Sequence, residues 1–515
     1  YARELAHDWP EFALGQLLLV RVAMRVGSSV EAMKAASVAV QLVPDDPVAW
    51  RLLGQATGLA GEHKLAVEAL RKSIDLAPGS MICRNLLVNQ LRALRLHDEA
   101  LLELNELTRR QPLCAETHAH LAVLHEELRD LTMAQRHADL ALAIEPAQPH
   151  ALHVCSIVAE QRKDYVLCQS MLVRLLQLPI SVELRVHGGL RLARVLDKQG
   201  DPGEAWSMML ACQELRRTTP SFARQDLEKW PRLLTETRDW ALAHLDRDAP
   251  CVLVDDAPAF VVGFPRSGTT LVEQMIDSHP NLATIDELPI LENLVLALPR
   301  LLGRDFSYPR DLDTMSDDER LKVIQAWRQR LGTQAGRVVD KLPLNVPFLP
   351  LARYLFPDAP VLFVLRDPRD AITSCVFQDM TPNSAMVHLA DPVAAANLYD
   401  GLLSAWQVYR RLPGLNYREQ RYEDLLVEPE TVARGMIEHL GQDWDPIVLR
   451  YHERASRKTI STPSYMAVSQ PINRSALGRW TRHSQGLAPV LSTLERWVEA
   501  FGYAPSMALD ELVVA

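Results

Sequence analysis

The sequence contains no apolar stretch close to the roughly 20 residues that a membrane-spanning helix needs, so we predict no membrane span. Its 7 cysteines are scattered and include no C-x-x-C pair, which argues against a disulfide framework and against a zinc site. This pattern favours a reducing compartment, and we expect a cytoplasmic protein. The net charge of −10 argues against a basic surface that binds nucleic acid.

What the N-terminal part does contain is a repeat. Prolines and alanines recur at a fixed interval of 34 residues: Pro44, Pro78, Pro112 and Pro146, and Ala32, Ala66, Ala100 and Ala134. Such a period, with small residues at close helix contacts and a proline after each second helix, is typical of tetratricopeptide repeats. A degenerate fifth unit follows Ala147, and Gly200-Asp201 marks a sixth. We expect these helix pairs to stack into a curved solenoid with a concave face.

The length of 515 residues exceeds what one hydrophobic core usually holds, so we expect more than one domain. We assign residues 1–222 to the all-α solenoid and residues 223–250, where the repeat fades, to a helical connector. Residues 251–503 are expected to form an α/β domain, followed by a tail at 504–515. The repeat leaves the role of the solenoid open between a groove for an acceptor or partner and a scaffold for packing or dimerisation.

After residue 251, short apolar segments alternate with helical patterns, which is typical of a parallel sheet covered by helices on both faces. The predicted strands are Phe260–Gly263, Ala283–Ile285, Arg337–Asp340, Val361–Leu365 and a weaker one at Asn416–Tyr422. Ligands of such sheets bind outside the carboxyl ends of the strands. We therefore expect the functional residues at those ends.

The first predicted strand leads into a turn that has the form of an anion-binding loop. Gly263 and Gly268 have the spacing of the nucleotide P-loop G-x-x-x-x-G-K-[ST], and a helix N-terminus follows. However, Thr269 stands at the position of the lysine, and Arg266 lies inside the loop. A kinase or ATPase needs that lysine to bind a triphosphate. A P-loop-like turn without it suits a less charged group, such as a sulfuryl carried on one phosphate.

Polar residues follow the other predicted strands at the same edge. Glu287 follows the second strand and can accept the proton of an attacking hydroxyl, whereas Asp286 is assigned to the cap of the next helix. Lys341 follows the third strand, where an ammonium can stabilise negative charge on a leaving oxygen. Arg366 follows the fourth strand, and its guanidinium can bind a second phosphate together with the hydroxyl of Ser374.

These motifs resemble those of PAPS-dependent sulfotransferases. The segment Pro265-Arg266-Ser267-Gly268-Thr269-Thr270-Leu271 is similar to their 5′-phosphosulfate loop, and Arg366-Asp367-Pro368-Arg369 with Ser374 is similar to their 3′-phosphate motif. The resemblance is greatest to the tyrosylprotein sulfotransferase branch, in particular to bacterial proteins that fuse tetratricopeptide repeats to such a domain. It covers about Phe260–Gly502 and, for the repeats, about Tyr1–Pro220.

The resemblance implies a donor, a catalytic set and a nucleotide-binding set. The donor is PAPS, the product is PAP, and no metal is needed. The catalytic residues are Glu287 as base, Lys341 at the leaving group, and Ser464 near the sulfuryl group in a late basic loop. The nucleotide-binding residues are Pro265, Arg266, Ser267, Gly268, Thr269, Thr270, Arg366, Ser374, Tyr422 and Arg479.

Differences from the tyrosine-specific branch leave the acceptor open. Arginines that read acidic peptides in that branch are replaced by Leu288, Pro289 and Asn293. Gln378 replaces an arginine near the 3′-phosphate, and Gln470 replaces a lysine in the late loop. We predict sulfuryl transfer to a hydroxyl of a protein tyrosine, a saccharide, a lipid or a small molecule, and the solenoid can engage a peptide or protein acceptor. The alternatives are a nucleotide kinase or ATPase, and an interaction scaffold with a silent transferase domain.

Overall fold

The computed structural model describes residues 1–248, 257–331, 336–455, 472, 474 and 476–505. The chain divides into two compact units, Tyr1–Gln199 and Gly200–Ala515. Within the described ranges, no helix is both long enough and apolar enough to cross a membrane.

The first unit is an array of antiparallel helix pairs, as the repeat predicts. The repeat alanines at positions 32, 66, 100 and 134 are all 0% exposed, because neighbouring helices contact each other there. A Cβ atom at Gly54 would lie 2.5 Å from Cγ of Leu70, so glycine allows these two helices to approach closely. The helices are Ala2–Asp8, Ala13–Arg25, Ser29–Leu42, Pro47–Leu59, His63–Leu76, Met81–Ala93, His97–Arg110, Ala115–Glu127, Leu131–Ile144, Pro149–Gln161, Tyr165–Leu176 and Val182–Gln199.

The turn inside each helix pair has the same backbone conformation in successive repeats. The φ angle is positive, from 58° to 86°, at five positions separated by the repeat length: Gly27, Gly61, Arg95, Arg129 and Lys163. Only the first two are glycines, so three charged residues adopt the left-handed conformation that glycine favours. The periodic turn continues into the predicted fifth unit, which is the helix pair Pro149–Gln161 and Tyr165–Leu176.

Helix Pro202–Arg217, which the sequence assigns to the last repeat, belongs to the second compact unit. Gln213 donates through Nε2 to the carbonyl oxygen of Val376 at 2.7 Å, and Arg216 forms an ion pair with Asp379. The predicted solenoid boundary at residue 222 stays a prediction, whereas the compact units meet at residues 199 and 200.

The second unit is an α/β domain built on one parallel sheet. Its strands pair in the order β2-β3-β1-β4-β5 and are β1 (Ala259–Gly263), β2 (Leu282–Asp286), β3 (Arg337–Lys341), β4 (Val361–Leu365) and β5 (Tyr417–Arg421). The predicted strands are confirmed, with ends that differ by one residue at most. Every residue of β1 and β4 is buried, which explains why both are continuous apolar runs in the sequence.

Helices connect and cover the strands, and the helix after β1 is buried along its whole length of 9 residues. The α-helices of the unit are Pro202–Arg217, Pro220–Ala223, Lys229–Leu242, Thr269–Asp277, Ile290–Leu302, Asp317–Leu331, Leu349–Leu355, Pro368–Val376, Pro392–Tyr409, Tyr422–Val427, Pro429–His439, Tyr451–Ala455 and Ser484–Ala500. Short 3₁₀ helices are Leu312–Thr314, Pro343–Phe348, Met386–Ala390, Pro446–Arg450 and Arg479–His483. Since all strands are parallel, their carboxyl ends lie at one edge of the sheet.

Candidate active site

The loop after β1 has the backbone geometry of an anion-binding turn. Arg266 and Gly268 adopt positive φ angles of 67° and 97°. Helix Thr269–Asp277 begins directly after Gly268, which is its N-cap. The first amides of a helix have no partner within the helix, and the positive end of its dipole lies there. The loop therefore offers backbone N–H groups and a positive potential to an anion.

Two arginines and a serine form a connected group beside this loop. Nε of Arg266 donates to Oγ of Ser374 at 3.1 Å. Arg366 donates through Nη1 to the carbonyl oxygen of Arg266 at 2.9 Å and through Nη2 to that of Ala476 at 2.6 Å. Burial lowers the pKa of the Arg266 guanidinium, and the positive charge of Arg366 acts in the same direction. The sequence motifs expected to bind two different phosphates thus lie side by side.

Lys341, at the end of β3, lies between two carboxylates. Its Nζ atom is 2.8 Å from Oε1 of Glu287 and 2.8 Å from Oε2 of Glu273. The side chain of Lys341 is 0% exposed and that of Glu273 is 2% exposed, whereas that of Glu287 is 37% exposed. Burial alone would lower the pKa of Lys341, but the two carboxylates outweigh it and raise this pKa above its usual value. The ammonium form is therefore stable in a buried position.

Backbone pairing explains why these three residues meet. In the sheet register, Lys341 is the partner of Val261 on β1 and of Asp286 on β2. Glu287 directly follows β2, and its N–H donates to the carbonyl oxygen of Lys341 at 3.2 Å. Glu273 lies on the helix that follows β1. One carboxylate therefore approaches Lys341 from each neighbouring strand connection.

A cavity of about 580 Å³ opens at this edge of the sheet. Residues from the predicted site line it, namely Pro265, Arg266, Gly268, Thr269, Thr270, Glu287, Arg366, Ser374, Tyr422 and Arg479. Apolar side chains at Leu342, Leu344, Met380 and Met386 also line it. Ser267 and Lys341 lie behind the wall, since they are 1% and 0% exposed. The structure thus brings most of the predicted site residues to one cavity.

Tyr422 and Arg479 are held at the cavity by aromatic contacts. The guanidinium carbon of Arg366 lies 5.0 Å from the ring centre of Tyr422, and that of Arg479 lies 4.9 Å from the ring centre of Phe377. Tyr422 also packs against the loop, because a Cβ atom at Gly268 would lie 2.2 Å from its Cδ2 atom. A larger residue at position 268 would displace this ring.

The predicted capping role of Asp286 is not confirmed, and the predicted position of Ser464 is not tested. Asp286 is the last residue of β2, and Pro289 is the N-cap of helix Ile290–Leu302, so the predicted capping role of Asp286 is wrong. The strand continues one residue further than its apolar pattern indicates. Ser464, predicted to lie near the sulfuryl group, is outside the described residues, as is Gln470.

Two features of the site were not predicted from the sequence. The first is Glu273, whose signal is a carboxylate within a helix that is buried along its whole length. The second is helix Pro202–Arg217, which supports the segment after helix Pro368–Val376. Nη1 of Arg216 donates to the carbonyl oxygen of Met380 at 3.2 Å. This support is invisible in the sequence because the partners lie more than 160 positions apart.

Across the described ranges, no cluster of three or more His, Cys, Asp or Glu side chains could hold a metal ion.

Comparisons with known proteins find relatives among the sulfotransferases. Residues 258–446 match the sequence model of the Sulfotransferase family, Sulfotransfer_3. An uncharacterised protein of Aquifex aeolicus is 28% identical over 396 residues, which are 73% of this chain and 50% of that protein. The chain therefore spans half the length of this relative. Human protein-tyrosine sulfotransferase 1 is 27% identical over 307 residues, which are 53% of this chain and 80% of the human protein.

A solved structure, the sulfotransferase domain of the Synechococcus PCC 7002 olefin synthase, is also similar. It is 22% identical, with a TM-score of 0.34, and the match covers 50% of this chain and 97% of that domain. The chain joins an N-terminal array of tetratricopeptide-type helix pairs to a parallel-sheet domain, and the segment of that domain at residues 258–446 matches the sulfotransferase family model.

Proposed function

We propose that the protein is a PAPS-dependent sulfotransferase that acts on a hydroxyl acceptor. The observation that carries the proposal is the junction of two anion-binding elements at one cavity. The loop at Arg266 and the Arg366–Ser374 pair are joined by hydrogen bonds and line that cavity with Glu287. A donor with a 5′-phosphosulfate and a 3′-phosphate requires two such elements close together. The sulfotransferase family and the missing P-loop lysine favour this donor over a triphosphate.

The residues of the cavity fit the two ends of PAPS. The loop amides and Arg266 suit the phosphosulfate, since backbone N–H groups and a guanidinium bind oxyanions without a metal. Arg366 and Ser374 suit the 3′-phosphate, and the ring of Tyr422 offers a face for the nucleotide. When bound, PAPS supplies an activated sulfuryl group whose leaving group is a phosphate.

Glu287 and Lys341 supply the remaining chemistry. The hydroxyl oxygen of the acceptor forms a bond to sulfur, its proton passes to the carboxylate of Glu287, and the bond between sulfur and the bridging oxygen breaks. The electron pair of that bond stays on the phosphate of PAP. Lys341 lies behind Glu287 and opposes the developing negative charge through its own positive charge. Ser464 remains a proposed contributor, and a peptide engaged by the helical array is one proposed acceptor.

The first test measures PAP binding by titration calorimetry. Arg266→Ala and Arg366→Ala should each weaken PAP binding by roughly 10- to 100-fold, the loss expected for charge-assisted hydrogen bonds. Arg353→Ala is the matched control, because this buried arginine donates to the carbonyl oxygen of Pro413 and does not line the cavity. Equal PAP affinity in wild type, Arg266→Ala and Arg366→Ala would contradict the proposal.

The second test measures turnover of sulfur-labelled PAPS with a tyrosine peptide, a saccharide, a phenol and a lipid alcohol. Glu287→Gln should lose activity by at least about 100-fold, the usual contribution of a general base, while PAP affinity is retained or raised. Full turnover in Glu287→Gln would remove this residue as the base. PAP binding without transfer to any acceptor would favour a silent transferase domain, and hydrolysis of ATP with Mg²⁺ would favour a nucleotide kinase or ATPase.

A further inference from the structure

Glu273 contacts the lysine of the proposed active site but does not contact the cavity. Its Oε2 atom lies 2.8 Å from Nζ of Lys341, and its side chain is 2% exposed. It is absent from the cavity wall, which Glu287 does line. Glu273 therefore cannot meet an acceptor hydroxyl as a base. Its contribution must pass through Lys341.

The charge balance around Lys341 changes during the proposed reaction. A fully buried ammonium needs an anionic partner, because transfer of an unpaired charge out of water is costly. Glu287 serves as such a partner only while it is a carboxylate. Once it has accepted the proton of the acceptor, it is neutral, and Glu273 is the carboxylate that still lies at ion-pair distance from Lys341.

We propose that Glu273 is a positioning residue that holds Lys341 in place and charged while Glu287 gains and loses its proton. This inference rests on the proposed function. Glu273 lies on helix Thr269–Asp277, which begins at the anion-binding loop, so it also connects the position of Lys341 to that loop. A carboxylate at position 273 thus keeps the ammonium at a constant distance from the anion that the loop binds.

The variant Glu273→Gln removes the charge and keeps the shape. Asp277→Asn is the matched control: Asp277 is a buried carboxylate on the same helix, but it accepts a hydrogen bond from Thr284 at 3.0 Å and pairs with Arg454. Glu273→Asp retains the charge on a shorter side chain and serves as the rescue variant. Thermal unfolding curves establish that each variant is folded.

The decisive readout is the affinity for PAP as a function of pH. Deprotonation of Lys341 removes a positive charge next to the bound anion, so PAP affinity should fall at alkaline pH. With only Glu287 left to oppose burial, the pKa of Lys341 decreases, so the fall should begin at a lower pH in Glu273→Gln than in wild type. Asp340, the neighbour of Lys341 on β3, and Arg266, which interacts with Glu287, are unchanged in every variant. Asp277→Asn should follow the wild-type profile, and Glu273→Asp should lie between them.

Turnover provides the second readout. In Glu273→Gln, kcat should fall by roughly 10- to 100-fold while KM for PAPS changes by less than about threefold, because the ammonium is misplaced rather than the donor site. Identical pH profiles and kcat values in wild type and Glu273→Gln would overturn the inference alone. A wild-type protein that binds no PAP at any pH would instead overturn the proposed function.

Discussion

Gly268 offers a direct test of how closely the anion-binding loop approaches Tyr422. Alanine at this position would keep a φ angle of 97°, which costs an L-residue about 1–2 kcal/mol. Its Cβ atom would also lie 2.2 Å from Cδ2 and 2.8 Å from Cε2 of Tyr422, so the ring must move. Overpacking of this kind costs about 1–3 kcal/mol. We expect Gly268→Ala to destabilise the α/β unit by about 2–5 kcal/mol.

Gly303 provides the matched control. It also has a positive φ angle, 67°, but a Cβ atom there would meet nothing within 4 Å. Gly303→Ala should therefore show only the backbone cost of about 1–2 kcal/mol. The difference between the two variants isolates the clash with the tyrosine ring. PAP affinity should fall only in Gly268→Ala, because the Arg366 guanidinium packs on the ring of Tyr422 and moves when the ring is displaced.

Thermal unfolding with and without PAP is the appropriate assay. The transition whose midpoint PAP raises belongs to the α/β unit, since a ligand stabilises the unit that binds it. A double-mutant cycle with Tyr422→Ala measures the coupling between the two positions. Equal midpoint losses in Gly268→Ala and Gly303→Ala, with no coupling to Tyr422, would refute the close approach of loop and ring.

Two further predictions concern pH. Burial raises the pKa of Asp340 to about 7, so its stabilising neutral form is lost as pH rises through 7. The variant Asp340→Asn stays neutral and can keep the contact with Asn345. It should stabilise the α/β unit by about 2–4 kcal/mol at pH 8 and by little near pH 4, as measured by urea unfolding. Burial lowers the pKa of His120 to about 4, so the unfolded state takes up a proton before the folded state as pH falls from 6.5 to 4. The free energy of unfolding of the helical array should therefore fall by up to about 3 kcal/mol over this range, and His120→Gln should reduce that fall. An unchanged pH dependence in either variant would contradict the corresponding burial.

The fold was largely predictable because its signals are local. The apolar run of β1 ends at Gly263, where φ is 156° and a Cβ atom would lie 2.4 Å from the carbonyl oxygen of Val364. Such a position requires glycine, so the sequence marks the end of the strand. The solenoid was predictable for a similar reason, since the repeat alanines lie at contacts that exclude larger side chains.

The features that escaped prediction depend on the fold as a whole. Arg95, Arg129 and Lys163 occupy left-handed turns without the glycine that would announce them. Glu273 reaches Lys341 only because β1 and β3 are neighbours in the sheet, although 68 positions separate the two residues in the chain. No spacing rule identifies such a pair. The strand-end residues Glu287 and Arg366 were predictable because parallel strands place their carboxyl ends together.

Arg366 and Lys341, two positively charged side chains of the site, have different partners, and this difference gives them different roles. Arg366 donates to two backbone carbonyl oxygens, and the Asp370 carboxylate lies 4.0 Å from Nη2 and accepts the amides of Gly478 and Trp480. Much of its positive charge therefore remains available to attract an anion before any reaction occurs.

Lys341, in contrast, is paired with two carboxylates, so its field is largely cancelled until Glu287 accepts a proton. That moment coincides with the growth of negative charge on the leaving oxygen, and an interaction that strengthens only then lowers the barrier rather than the ground state. Neutralising Glu287 should reproduce this condition permanently. PAP carries the negative charge that the leaving group gains on its 5′-phosphate. Glu287→Gln should therefore bind PAP more tightly than wild type does, even though this variant has lost turnover. Weaker PAP binding in Glu287→Gln, measured by calorimetry at pH 7, would show that this carboxylate does not restrain the lysine.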